Sequence, residues 1–289
     1  NDCQPVGMMT KTKINEWLVR SVKQLVDLSE FPSLETQVVL AYVLNTTREW
    51  LITHPDVELT DAQTEQADFL LSRLCNEEPL PYLTGHQAFY GLDFLVTPDV
   101  LIPRPETELL VEECIEWLEA RPSRRKVADI GTGSGVIAVC LADHFQDVNI
   151  YAVDVSEKAL QVAGKNANLF HVNERIRFAR SDLLENCQEQ FDLIAANLPY
   201  IPTSTLKELP VARFEPLLAL DGGKNGLDFI SKLITQSPNN LKPGGMIILE
   251  IEANQSEVVQ QLAKNSYPHA QITLLTDLAN HPRILKIQV

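Results

Sequence analysis

The sequence predicts an α/β protein in which a mainly parallel β-sheet follows a small helical domain, and three observations support this. The first third of the chain shows helical patterns, an aromatic and β-branched stretch follows Pro79, and short apolar strands alternate with helical stretches from Lys126 onward. Strands that alternate with helices form parallel sheets whose two faces are covered. We therefore expect a helical domain over residues 1–80, a hairpin linker over 81–103 and an α/β domain over 104–289.

The helical spacing of apolar residues defines three segments of the N-terminal domain. The first runs from Trp17 to Val26 and the second from Val38 to Leu44. The third begins at Thr60, where Gln63 completes a capping-box pattern three residues further on. No glycine-rich loop or strand pattern interrupts these segments, so the domain is expected to be helical throughout.

The rest of the chain is predicted to contain a hairpin, a helix and then the strands of the sheet. The stretch 82–100 is rich in aromatic and β-branched residues and is punctuated by glycines, which indicates a short hairpin. Thr107 and Glu108 suit the start of an amphipathic helix. The expected strands are Lys126–Ile130, Asn149–Val153, Arg175–Ala179, Phe191–Ala196, Met246–Ile251, Gln271–Leu275 and Ile284–Val289.

The composition argues against several classes of protein. The formal net charge is −15 over 289 residues, whereas proteins that grip nucleic acid carry a basic surface for the phosphates. No apolar run reaches the roughly 18 residues of a membrane span, and residues 1–10 lack the pattern of a signal peptide. A cytoplasmic protein that acts on a protein or a small molecule is therefore expected.

The cysteines predict neither a disulfide framework nor a zinc site. Their number is odd and no two are spaced as a C-x-x-C pair, so ordinary reduced thiols are expected. They are Cys3, Cys75, Cys114, Cys140 and Cys187.

A glycine-rich loop, Gly131-Thr132-Gly133-Ser134-Gly135, follows the apolar strand Val127–Ile130 and precedes a helical run. Open α/β sheets bind ligands at such strand ends. Glycines allow a ligand to approach closely, and amide groups at the helix N-terminus are expected to face it. A nicotinamide fingerprint would need glycine at Val136. The spacing G-x-G-x-G, with Asp129 two residues before it, instead resembles the first motif of class I methyltransferases.

That resemblance predicts S-adenosylmethionine as the cofactor. Asp154 lies at the end of the next strand, where a carboxylate accepts both ribose hydroxyls of an adenosine. In similar methyltransferases the acid at Asp129 lies near the methionine end, and residues equivalent to Asp182 and Leu183 contact the adenine. An alternative role for Asp182 is to cap a turn. Asn197 is also expected to contact the cofactor.

The second motif is Asn197-Leu198-Pro199-Tyr200, directly after the buried strand Phe191–Ala196. Such a segment suits a substrate whose methyl-accepting atom is an amide nitrogen. This nitrogen is a poor nucleophile because its lone pair is delocalised into the carbonyl, so the enzyme must hold the substrate NH2 group with two hydrogen-bond acceptors. The side-chain oxygen of Asn197 supplies one. The carbonyl of Leu198 supplies the other, since Pro199 restricts the residue before it to an extended conformation. Tyr200 is expected to pack on the planar acceptor group. The methyl donor is a sulfonium, so no metal is expected.

Taken together, the motifs resemble the HemK/PrmC family over nearly the whole chain. This resemblance implies a protein-(glutamine-N5) methyltransferase that modifies the glutamine of the Gly-Gly-Gln motif in peptide-chain release factors. It also implies a class I (Rossmann-like) methyltransferase domain with a seven-stranded mixed sheet, and a helical N-terminal domain that helps bind the release factor. The matching segments are 82–85, 89–94, 101–108, 129–135, 197–202, 214–216, 220–223, 226–228 and 243–245.

Two departures from the family pattern keep other functions open. The family usually has proline at Leu198 and glycine at Glu252. N-L-P-Y is typical of ribosomal RNA adenine dimethyltransferases, so an adenine-N6 methyltransferase acting on RNA or DNA is one alternative. Those enzymes are basic and carry the cofactor loop near the N-terminus, unlike this chain. A non-catalytic cofactor-binding interaction protein is another alternative, against which the intact Asn197, Asp129 and Asp154 argue.

Arg104 and Glu106 allow two interpretations. They could line the entrance for the substrate, or form an ion pair that caps the following helix. The expected partner is a release factor, with no direct nucleic acid or membrane contact, and the expected oligomeric state is a monomer.

Overall fold

The computed structural model describes residues 11–289 of the chain. Within it, residues 11–85 contain five helices. Cys3 and the expectation of no signal peptide in residues 1–10 lie outside the described residues. The helices are α1 (Ile14–Leu25), α2 (Pro32–Leu44), α3 (Arg48–Thr53), α4 (Asp61–Cys75) and α5 (Leu80–Thr84). They form the first of two compact units, which ends at Gly85.

The sequence pattern located α1, α2 and α4. The predicted capping box of α4 is present, because Gln63 N donates to Thr60 Oγ1 (3.2 Å) and Thr60 N donates to Gln63 Oε1 (2.9 Å). The apolar faces meet in a core that includes Trp17, Leu40 and Leu71. Helix α3 has only six residues, too few to show a helical period in the sequence.

The predicted hairpin is shorter than the stretch 82–100 and begins later. Strands β1 (His86–Phe89) and β2 (Leu92–Leu95) are joined by Tyr90 and Gly91, which both have positive φ as a two-residue hairpin turn requires. The preceding residues form α5 instead of a strand. Proline is tolerated in the first turn of this helix, and Gly85 ends it with φ of +77°.

The second unit, His86–Val289, is built on a seven-stranded mixed sheet. Its spatial order is β5-β4-β3-β6-β7-β9-β8, and β9 runs antiparallel to both neighbours while the first five strands are parallel. The strands are β3 (Lys126–Ile130), β4 (Asn149–Asp154), β5 (Ile176–Arg180), β6 (Phe191–Ala196), β7 (Leu241–Glu250), β8 (Gln271–Thr276) and β9 (Pro282–Gln288). The predicted α/β class and mixed sheet are confirmed.

Helices cover both faces of this sheet, as alternation of strands and helices predicted. They are α6 (Glu106–Glu119), α7 (Val136–His144), α8 (Glu157–Leu169), α9 (Thr203–Leu206), α10 (Leu217–Leu220), α11 (Asp228–Gln236) and α12 (Ser256–Ser266). Residues of α6, α7 and α8 pack in one apolar layer, and those of α11 and α12 in the other. Alternate residues of β3, such as Val127 and Ala128, enter opposite layers.

Strand β7 departs most from its prediction, since it begins at Leu241 instead of Met246. Leu241 pairs with Phe191 before a shift in the β6–β7 register, and Gly244 has φ of +71°. Proline and two glycines in this segment are turn signals that concealed the pairing. Within residues 11–289 no helix combines the length and apolarity that a membrane span requires.

Candidate active site

The carboxyl ends of neighbouring parallel strands bring the two sequence motifs together. Strand β3 lies between β4 and β6, and β7 lies on the other side of β6. The glycine-rich loop follows β3 and Asn197 follows β6, so both lie at the edge where open α/β sheets bind ligands. Segments that are distant in the sequence therefore meet at one site.

A cleft of about 1090 Å³, part of it open to solvent, lies at this edge. The cleft is lined by these predicted site residues: Arg104, Gly131, Thr132, Gly133, Ser134, Asp154, Asp182, Leu183, Asn197, Leu198 and Pro199. Four others do not line it: Glu106, Asp129, Gly135 and Tyr200.

The glycine-rich loop is fastened to the end of β4 by its own amide groups. The amides of Gly131 and Thr132 both donate to the Val153 carbonyl at 2.9 Å, and Gly133 N donates to Asp154 Oδ2 at 2.9 Å. These three loop amides therefore bond to the end of β4, and the expectation that amides at the helix N-terminus face a ligand stays a prediction. Gly131, Gly133 and Gly135 have positive φ, so the loop presents bare Cα surface.

Gly131 also packs directly on the second motif. A Cβ built on it would lie 2.9 Å from Leu198 Cδ2, and its φ is +76°. Leu198 is buried, with 4% of its surface exposed, and belongs to the same apolar layer as β6. The cofactor loop and the Asn197 segment are thus in direct contact, and the leucine that departs from the family pattern is the residue that joins them.

Asp154 is held in place while keeping acceptor capacity toward the cleft. Its Oδ2 accepts from Gly133 N and its Oδ1 accepts from Ser156 N at 2.8 Å. Each carboxylate oxygen can accept a further hydrogen bond. Burial raises the pKa of Asp154, and the backbone hydrogen bonds from Ser156 and Gly133 oppose this effect. Asp154 can therefore receive a pair of hydroxyl groups.

Asp129 lies beneath the loop, outside the cleft lining. The carboxyl is fully buried, and its Oδ2 accepts from Thr132 Oγ1 (2.6 Å) and from Ala138 N (3.2 Å). Its Oδ1 has no protein partner within residues 11–289. Burial raises the pKa of Asp129 to about 7. Thr132, whose hydroxyl is bound to Asp129, lines the cleft.

The third predicted segment, Asp182-Leu183, lies on the cleft wall with Phe229 of α11. Lys232 Nζ forms an ion pair with the Asp182 carboxylate, a contact that the sequence did not indicate. Leu183 has φ of +54°, an uncommon conformation for a side chain of its size and one that is found at ligand sites. Together these residues offer apolar surface with one carboxylate beside it.

The Asn197 side chain is oriented by two residues from other elements. Asn197 Nδ2 donates to Thr107 Oγ1 of α6 (2.9 Å), and Thr107 Oγ1 donates to Glu250 Oε2 at the end of β7 (2.7 Å). Thr107 and Glu250 are both buried, with 2% of each residue exposed. Thr107 lies in the first turn of α6, as predicted, with Pro105 at the cap position, and its hydroxyl joins this network.

The backbone of Pro199 and Tyr200 is enclosed by two glycines. A Cβ on Gly222 would lie 2.8 Å from the Pro199 carbonyl oxygen, and one on Gly226 would lie 2.1 Å from the Tyr200 carbonyl oxygen. Buried Gln255 donates from Nε2 to that same Tyr200 oxygen (3.0 Å). Burial raises the pKa of the Tyr200 phenol. Tyr200 does not line the cleft, and its packing on the planar acceptor group stays a prediction.

Arg104 pairs with Glu215, so the interpretation of an Arg104–Glu106 ion pair is wrong. Glu215 is buried, and its carboxylate accepts from Arg104 Nη2 (2.5 Å) and from Ile102 N (3.1 Å). This contact fastens the proline-rich segment before α6 to the Phe214–Pro216 segment. Arg104 lines the cleft and exposed Glu106 does not.

Thr107, Glu215 and Glu250 are the important site residues that sequence reasoning missed. The sequence did contain one signal for Glu250, which is a charged residue at the end of an apolar strand. The β6–β7 register pairs Ala196 with Leu249, so the residues that follow, Asn197 and Glu250, emerge side by side. No group of three or more His, Cys, Asp or Glu in the described part of the chain is arranged to hold a metal ion.

Comparisons with known proteins agree with this architecture. The family described as methyltransferase small domain matches residues 106–213, and the PrmC N-terminal domain family matches residues 16–85. A solved methyltransferase structure from Pyrococcus furiosus aligns with a TM-score of 0.51 at 19% identity, over 70% of this chain and 90% of that one. The seven-stranded sheet with its glycine-rich loop and cleft defines a class I S-adenosylmethionine-dependent methyltransferase.

Full-length relatives narrow this class to one family. A release factor glutamine methyltransferase from Koribacter versatilis is 40% identical, over 88% of this chain and 90% of the relative. One from Moorella thermoacetica is also 40% identical, with the same two coverages. The chain belongs to the release factor glutamine methyltransferase family.

Proposed function

We propose that this protein transfers a methyl group from S-adenosylmethionine to the side-chain amide nitrogen of the glutamine in the Gly-Gly-Gln motif of a peptide-chain release factor. The observation that carries this is the orientation of Asn197. Its amide nitrogen is bound by Thr107, which leaves the amide oxygen as an acceptor at the cleft. The relatives named above carry the same activity in their names.

The residues of the cleft fit S-adenosylmethionine. Asp154 would accept the ribose hydroxyls, and Leu183 with Phe229 would cover the adenine while Asp182 lies beside it. The loop Gly131–Gly135 would lie along the cofactor, because the positive φ of its glycines leaves no Cβ in the way. Asp129 would support the methionine end through Thr132. The cofactor supplies an electrophilic methyl group on a sulfonium.

The protein's part in the reaction is to hold the amide nitrogen in line with that methyl group. Asn197 Oδ1 would accept one N–H of the substrate glutamine and the Leu198 carbonyl the other. Neither oxygen accepts a hydrogen bond from another group of residues 11–289. Pro199 keeps Leu198 extended, which fixes the direction of its carbonyl. Most of the rate gain would come from this alignment.

The remaining surface properties suit a protein substrate. The net charge of −15 is unfavourable for a long nucleic-acid groove and compatible with a basic protein partner. Arg104 at the cleft and Glu106 beside it would contact the substrate at the entrance, and the helical unit that ends at Gly85 would bind elsewhere on the release factor. We propose that the enzyme acts as a monomer.

The first prediction is the reaction itself. With methyl-labelled cofactor, the purified protein is expected to label a release factor at the glutamine of Gly-Gly-Gln, and a Gln→Ala substrate is expected to remain unlabelled. Mass spectrometry of the tryptic peptide locates the methyl group. Label in ribosomal RNA or DNA instead of the release factor would assign the enzyme to the adenine methyltransferases, and no transfer to either would support a non-catalytic role.

The second prediction concerns Leu198, and Leu198→Pro is expected to keep kcat within about fivefold of wild type. The Leu198 amide makes no hydrogen bond with the described residues, so proline removes none. The buried side chain loses part of its packing on Gly131, so stability is expected to fall by about 1–2 kcal/mol. Leu198→Ala is the control for that packing loss. A kcat much lower in the proline variant than in the alanine variant would show that the backbone here differs from the family's.

A further inference from the structure

Glu250 is a buried acid next to the reacting residues that the mechanism so far does not use. It is 2% exposed, ends β7 and does not line the cleft. Its Oε2 accepts a hydrogen bond from Thr107 Oγ1, and Thr107 Oγ1 in turn accepts from Asn197 Nδ2. Keeping a carboxylate this deeply buried is costly, so its retention beside Asn197 calls for a reason.

The order of donors along this chain of hydrogen bonds follows from counting hydrogens. An ionised carboxylate only accepts, so Thr107 must give its single hydroxyl hydrogen to Glu250. The Thr107 oxygen can then only accept, so Asn197 must present its NH2 group and not its carbonyl oxygen. The amide oxygen of Asn197 is consequently directed away from Thr107, where a substrate N–H can reach it.

We propose that Glu250 is a positioning residue which, acting through Thr107, sets the rotamer of the Asn197 amide so that its oxygen faces the substrate nitrogen. This rests on the proposed function, because a substrate glutamine that donates its N–H groups requires the Asn197 oxygen to face it. If Glu250 carries a proton, it can donate to Thr107 and free the Thr107 hydroxyl hydrogen. Asn197 then turns its oxygen toward Thr107 and presents NH2 to the substrate NH2, which is unproductive.

The charges around Glu250 make this switch sensitive to pH. Burial raises the pKa of Glu250 to about 7, the hydrogen bond from Thr107 lowers it, and nearby Glu106 of α6 raises it. Arg283 of β9 and the neighbouring Asn197 amide lower it further, and Tyr200 also faces it. The productive orientation is therefore expected above about pH 7 and is lost as the pH falls below that value.

The test compares kcat across pH for wild type and four variants on the release factor. Glu250→Gln and Thr107→Val are each expected to lower kcat by about 30-fold at pH 8, with the Kd for S-adenosylmethionine within about threefold. Thr107→Ser is expected to recover most of the rate lost in Thr107→Val, since it keeps the hydroxyl. The double variant is expected to be no slower than the slower single variant, because both act through one chain of hydrogen bonds.

Two further measurements separate positioning from structural support. In wild type, the acid limb of the kcat–pH profile, in which kcat falls as the pH drops, is expected near pH 7. In Glu250→Gln this limb is expected to be absent. Because the pKa of folded Glu250 lies above its usual value, its ionisation costs stability as the pH rises toward 7. Glu250→Gln is therefore expected to have a Tm at pH 8 that equals or exceeds that of wild type. Glu113→Gln is the control. Glu113 is a half-buried acid on α6, the helix that also carries Thr107, and it is paired with Lys286 of β9, so its loss is expected to keep both kcat and the acid limb.

A readout without substrate distinguishes failure of this proposal from failure of the proposed function. In ¹⁵N-labelled protein, the Asn197 side-chain NH2 signals, identified by their loss in Asn197→Ala, are expected to shift between pH 6 and 8 and to stop shifting in Glu250→Gln and Thr107→Val. Wild-type signals that do not shift, or a Glu250→Gln enzyme with normal kcat, would overturn the role of Glu250. If the wild-type Asn197 signals shift as expected but the enzyme does not label a release factor, only the proposed substrate would be overturned.

Discussion

Replacing Asn197 with alanine is expected to lower kcat on a release factor by about 1000-fold, the range seen when one aligned hydrogen-bonding group is lost from an active site. The variant keeps the glycine-rich loop and Asp154, so the Kd for S-adenosylmethionine is expected to stay within about threefold. The reason is that Asn197 Oδ1 is proposed to hold the NH2 group of the substrate glutamine, while its own Nδ2 is bound to Thr107. Single-turnover methyl transfer at saturating cofactor measures this effect.

Asn168→Ala is the matched control, because Asn168 is an exposed asparagine near the end of α8, away from the cleft. It is expected to leave kcat and Kd unchanged. A near-normal turnover for Asn197→Ala would remove this side chain from the mechanism. The Leu198 carbonyl would then be the sole acceptor in the proposed pair.

Replacing Asp154 with alanine is expected to weaken S-adenosylmethionine binding by about 100-fold. Hydrogen bonds to a charged acceptor contribute about 1.5–3 kcal/mol, and the carboxylate is proposed to receive two hydroxyls. The substitution also releases Gly133 N, which fastens the loop to β4, and Ser156 N at the start of α8. Isothermal titration calorimetry with S-adenosylmethionine and with S-adenosylhomocysteine measures the change, which should be similar for both because both carry the ribose.

The control for this prediction is Asp147→Ala, an aspartate near β4 whose side chain is 64% exposed and paired with Arg125. Its loss is expected to leave cofactor binding unchanged. At saturating cofactor the KM for the release factor is expected to be normal in Asp154→Ala. An unchanged Kd for the cofactor in that variant would mean that the ribose is held elsewhere in the cleft.

Much of the fold was predictable because its signals are local. The strands Lys126–Ile130 and Phe191–Ala196 were located with their exact bounds, since each is a mainly apolar run that ends at a loop. The errors lie where a local signal was ambiguous. Prolines and glycines near Leu241 concealed the start of β7, and Pro79 and Pro81 concealed the short helix α5.

The candidate site was predicted in part, and the division has a physical reason. Glycines that need positive φ, and an asparagine before a leucine and a proline, are properties of short segments and can be recognised without a partner. Arg104 was recognised as a site candidate, but its partner was misassigned to Glu106. The real partner, Glu215, is 111 residues away, and sequence spacing carries no information about it.

The sequence by itself determined the alternation of strands and helices, the cofactor loop, the Asn197 segment and the acids Asp129 and Asp154. These depend on local patterns of apolar residues, glycine and proline. Only the tertiary structure decided which residues orient the Asn197 amide. The Asn197–Thr107 and Thr107–Glu250 hydrogen bonds span 90 and 143 residues, and they exist because the first turn of α6 lies beside the carboxyl ends of β6 and β7.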